Sequence, residues 1–96
     1  MSYSVDGVTH QLTLIGDEAW RDFLNRMLTL AEEGHEISLR NEEATSRVVS
    51  AKEKVTSTTT DHDKAYTWTE SIMKDGYMVS IHFDKESGTY TCYAIK

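Results

Sequence analysis

The chain has 96 residues, 39% hydrophobic and 27% charged, which excludes a disordered tail and allows one domain, residues 1–96, with one modest core. Its formal charge is −6, with ten Lys and Arg scattered among sixteen acids, and this argues against phosphate-backbone contacts and so against a nucleic-acid partner. The apolar stretches are too short for a membrane span, Met1 to Ile15 alternates rather than forming a signal-peptide core, and Cys92 is the single cysteine, so the expected location is cytoplasmic.

Tyr3, Val5, Val8, His10, Leu12 and Leu14 follow a loose alternation broken by Asp6-Gly7, a dipeptide that favours a two-residue hairpin turn, so a short N-terminal hairpin is expected. From Asp17 the period changes. Trp20, Phe23, Leu24, Met27, Leu30 and Ala31 recur at three- and four-residue steps and predict an amphipathic helix, with Asp17 and Glu18 at its positive end and Gly34 as its C-terminal cap. Glu36 to Arg40 alternates as a strand, Asn41 to Ser46 is polar enough to turn, and Arg47 to Ala51 is the candidate return strand.

Val55 to Thr59 is rich in β-branched residues, and Thr60 with Asp63 has the spacing of a capping box. Ala65, Trp68, Thr69, Ile72 and Met73 then form a second helical stripe, ended by Gly76. Tyr77, Val79, Ile81 and Phe83 alternate, Asp84 to Gly88 turns, and Thr89 to Ile95 returns as a terminal strand.

Sliding the sequence by 42 positions lays Gly34 on Gly76, Leu30 on Ile72, Ala31 on Met73, Ile37 on Val79, Ser38 on Ser80 and Leu39 on Ile81. The expectation is therefore two pseudo-repeats, 12–53 and 54–96, each strand-helix-strand-strand. The fold class is α+β: a mostly antiparallel sheet with two helices packed on one face, either one six-stranded sheet or a ferredoxin-like core with added strands. The matched positions are glycines and apolar residues, so the repeat speaks of packing and not of chemistry.

Over residues 55–96, the positions Thr60, Ala65, Trp68, Met73, Gly76-Tyr77, Val79, Ile81, Asp84, Gly88-Thr89-Tyr90, Cys92 and Ala94-Ile95 resemble the C-terminal half of small uncharacterised proteins typical of gut Bacteroides-type bacteria. The resemblance implies a fold and carries no activity, ligand or catalytic residue.

No residues are assigned to catalysis, to a cofactor or to a metal. His10, His35, His62 and His82 are dispersed, and neither Cys-x-x-Cys nor His-Glu-x-x-His occurs. Asp61-His62-Asp63 is a compact set of potential ligands, but it falls at a helix N-terminus, where capping explains it, and the further oxygens of a calcium loop are missing. Glu32-Glu33 and Glu42-Glu43 lie beside turns, where exposed carboxylates make poor general acids at neutral pH.

Three surfaces are expected. Tyr66, Tyr77, Tyr90 and Tyr93 would make an interface if they shared the sheet face away from the helices, because tyrosine is enriched at protein contacts. Both faces of the last strand carry apolar atoms, so the far face should be covered by a second chain or by the N-terminal hairpin, and a homodimer or another protein is the expected partner. The alternative is a small-molecule-binding or weakly enzymatic pocket between sheet and helices near Cys92, His82 and Trp68. A third reading, an acidic surface imitating DNA, requires Asp17, Asp22, Glu32, Glu33, Glu42 and Glu43 to cluster on one face.

Overall fold

Asp6 and Gly7 both take positive φ, 50° and 84°, and close the N-terminal hairpin between β1 (Ser2–Val5) and β2 (Val8–Gln11) as their sequence predicts. The computed structural model describes residues 1–41 and 54–95. Beyond the hairpin come α1 (Asp17–Glu32), β3 (Ile37–Arg40), β4 (Lys54–Thr59), α2 (His62–Lys74), β5 (Met78–Asp84) and β6 (Thr89–Ile95).

The strands form one six-stranded sheet in the order β2-β1-β3-β5-β6-β4, with every neighbouring pair antiparallel. In the C-terminal half, β4 and β5 flank β6 and are joined through α2; in the N-terminal half, β2 and β3 flank β1 and are joined through α1. The order thus reads alike from either edge. At its centre Ile37 pairs with Ile81, Ser38 with Ser80 and Leu39 with Val79. Since the 42-residue offset equates Ile37 with Val79 and Leu39 with Ile81, the pairing is crosswise, as a local two-fold axis between Ser38 and Ser80 produces.

Among the described residues of the N-terminal half, β2, α1 and β3 keep the expected strand-helix-strand order. The place beside β3 that the offset assigns to a return strand at Arg47 to Ala51 is occupied by β1, paired from Ser2 with Arg40 to Val5 with Ile37. The expected return strand itself lies outside the described residues. The hairpin also does not cover the far face of the sheet, because its open backbone groups are satisfied by adding two strands to the edge.

Both helices end in the same device. Gly34, at φ 102°, donates its N–H to Ala31 O, and His35 N–H reaches Leu30 O; Gly76, at φ 93°, and Tyr77 repeat this with Met73 O and Ile72 O. At the start of α2 the cap is Asp61, one residue past the expected Thr60: its side chain accepts from the Asp63 N–H at 2.9 Å. Buried Asn41 donates from Nδ2 to Met73 O at 3.2 Å, relieving a carbonyl at the end of α2.

The core lies between the helices and one face of the sheet. Phe23, Leu24, Met27 and Ala31 of α1 and Ala65, Thr69 and Met73 of α2 meet Ile37, Leu39, Val79, Ile81, Cys92 and Ala94. Leu28, outside the stripe read from sequence, is fully buried as well. Among the described residues no helix is long and apolar enough to cross a membrane.

Candidate functional site

The pleat sends alternate residues of each strand away from the helices, and the register aligns those residues into rows across the sheet. One row runs Thr9, Ser4, Ser38, Ser80, Tyr93 and Thr56, one hydroxyl-bearing residue from each strand. The next row places Arg40, Met78, Ile95 and Lys54 side by side. Met78, Tyr93 and Ile95 are exposed by 39%, 52% and 43%, so the two rows bring three large apolar side chains together on an open surface. Among the described residues nothing lies over this face.

Small side chains in the hydroxyl row leave a depression. It measures about 500 Å³ and is walled by Ser4, Ser38, Ser80, Glu36 and His82, with Tyr93 at its border. Among the described residues, Arg40, Lys54, Glu36 and Asp84 put charges of both signs on this face. Among the described residues it offers no basic tract for a phosphate backbone.

The four expected interface tyrosines do not share a surface. Tyr93 stands on the open face; Tyr90 and Tyr77 are buried at 4% and 8% exposure; Tyr66 lies on α2, where its hydroxyl donates to Glu70 Oε2 at 2.8 Å and burial pushes its phenol up. Tyr90 faces the helices because its strand-mates Cys92 and Ala94 do, and its ring packs 4.7 Å from that of Phe83.

The expected pocket is likewise not assembled. Cys92 pairs with Ile81 and faces the helices, whereas His82 pairs with Thr91 on the opposite side of the sheet. The Cys92 sulfur has Thr69 Oγ1 at 4.0 Å, and burial raises its thiol above the usual range, the reverse of what a nucleophile requires. Trp68 borders a groove on the outer side of α2 with Asp63, Lys64, Thr67 and Ser71. Of the acids expected to cluster, Glu42 and Glu43 lie outside the described residues, and Glu32 is engaged internally.

That engagement is a polar cluster with no signature in the local sequence. Tyr90 donates its hydroxyl to Glu32 Oε2, His62 Nδ1 lies 2.9 Å from the same oxygen, and His62 Nε2 lies 3.0 Å from Asn25 Oδ1. The Tyr90 hydroxyl holds the Glu32 carboxyl below its ordinary range against an opposing desolvation, and His62 adds to the lowering. Burial, followed by the Glu32 bond, drives the Tyr90 phenol upward. The cluster joins the end of α1, the start of α2 and β6, contributions 58 and 30 positions apart that no local spacing reveals. Its groups are spent on one another, which makes it a clasp between elements. Among the described residues no group of three His, Cys, Asp or Glu is placed to hold a metal.

Compared with family models, with curated proteins and with solved structures, the chain matches none.

Proposed function

We propose that this chain is a non-enzymatic protein-interaction module that acts through the open face of its sheet, with the homodimer as its assembly. The observation that carries the reading is the contiguous exposure of Met78, Tyr93 and Ile95 on the open face of the sheet. An aromatic and two aliphatic side chains side by side form an interface centre, and the surrounding Ser, Thr, Arg and Lys form a polar rim. Charges of both signs around that centre favour a partner that is likewise mixed, and a second copy of this face meets that condition.

Sedimentation across a wide concentration range tests it. A mass of twice 10.9 kDa at the upper concentrations is the expected result. A mass of 10.9 kDa at every concentration would remove the homodimer.

A further inference from the structure

Ser80 of β5 has Ser38 of β3 as its partner on one side and Tyr93 of β6 on the other. The largest side chain of the hydroxyl row and the small residues of the depression therefore lie in one row, one strand to either side of β5. A two-fold axis running along β5 and parallel to the sheet would exchange those positions between two copies stacked face to face. From this we infer that the open face is self-complementary: Tyr93 of each copy seats in the depression over Ser38 of the other, with β5 on the axis. The inference rests on the proposed homodimer and gives it a geometry.

Two features of the face agree with that arrangement. Stacked sheets pack about 10 Å apart, so large residues must oppose small ones for the layers to interdigitate. Tyr93, half exposed, lies over Ser38 between Ser4 and Ser80, where the depression of about 500 Å³ accepts a ring. In the adjoining row the axis sets Met78 against Met78 and lays Ile95 along the aliphatic stem of Arg40, so the exposed apolar residues are buried together. Further along β5 the same axis brings each Asp84 to face its copy, a like-charge contact at the exposed end of the strand that works against the pairing.

The other arrangements fail on the same observations. An axis along the hydroxyl row would set Tyr93 on Tyr93 and leave both depressions empty. An axis parallel to β5 but one strand away would move Tyr93 off Ser38.

The test is a knob-and-hole exchange in the full chain, read by sedimentation. Tyr93→Ser removes the knob and Ser38→Tyr fills the hole. Each variant alone should raise the dimer dissociation constant about tenfold or more. Mixed in equal amounts, the two variants should restore the dimer, because Tyr at 38 of one copy then faces Ser at 93 of the other and the second contact keeps its native pair. Restoration also proves that both variants fold. Met78→Glu, which sets two carboxylates together on the axis, supplies a second reading at an exposed position and should give a monomer. Wild-type dimers that persist in all three variants, or a mixture that stays monomeric while both variants keep their circular dichroism, would overturn the geometry and leave the homodimer standing. A wild-type monomer would overturn both.

Discussion

Tyr90 and Glu32 share a hydrogen bond that ties the last strand to the end of the first helix across 58 positions of sequence. The phenol is the donor and the carboxylate the acceptor, so the bond is charge-assisted, and His62 shares the same oxygen. Tyr90→Phe keeps the ring against Phe83 and removes only this donor. We expect it to cost about 1–2 kcal/mol, the range for a hydrogen bond to a charged group trimmed for the partial exposure of Glu32. Urea unfolding at neutral pH measures the loss; an unchanged midpoint would show that the bond contributes nothing to the fold.

The same carboxylate gives stability a pH dependence whose sign is fixed. Glu32 is held below its ordinary value by Tyr90 and His62, and Asp6 below its own by the His35 side chain 2.6 Å away and the Glu36 N–H. In the unfolded chain each would titrate near the ordinary carboxylate range, about pH 4. Their stabilisation is therefore complete above that range and is lost as pH falls through the lower folded values. Unfolding midpoints measured from pH 7 down to pH 3 should decline, and Glu32→Gln should flatten the decline. A profile as steep in that variant as in the wild type would locate the acid sensitivity elsewhere.

At Gly34 the backbone, and not the space, sets the requirement. Its φ is 102°, and an added Cβ would meet only the Lys85 side chain, at 3.7 and 3.8 Å, which is ordinary contact. Gly34→Ala should thus cost about 1–2 kcal/mol through the left-handed conformation alone. Gly34→Asn should cost less, because asparagine tolerates that region better. Equal losses for both variants would indicate that the cap depends on the absent side chain and not on its angle.

Elements written in local code are legible in the chain itself. The helical stripes, the paired glycine caps, the Asp6-Gly7 turn and the alternation of Tyr77 to Phe83 each follow from a period or a φ sign that neighbouring residues dictate. Pairings set by competition among distant segments are not legible in this way. The edge of β3 could be filled by β1 or by a following strand, and both satisfy the same hydrogen bonds. The last strand alternates Tyr90, Cys92 and Ala94 with Thr91, Tyr93 and Ile95, so either set could face inward; the helices select the first. That choice dissolves the expected tyrosine patch and leaves Tyr93 in a row of hydroxyls that only the register assembles. The cluster of Glu32, His62, Tyr90 and Asn25 is invisible in the sequence for the same reason, since its members meet only when three elements dock.

The inward choice in β6 also fixes the behaviour of the thiol. Cys92 is 1% exposed, its acidity is weakened by burial, and its hydrogen-bond donor is the Thr69 hydroxyl at 4.0 Å. His82 cannot serve as its base, because adjacent positions of a pleated strand point oppositely and His82 pairs with Thr91, the neighbour of Cys92. A disulfide reagent such as Ellman's should therefore leave the native protein unmodified at pH 8 and release one equivalent of chromophore per chain in denaturant. The rate in native buffer should follow the opening of the fold, so destabilising variants such as Tyr90→Phe accelerate it in proportion to their lost stability. Rapid modification of the wild type, at a rate indifferent to those variants, would mean that the thiol is open to solvent and would return Cys92 to consideration as a nucleophile.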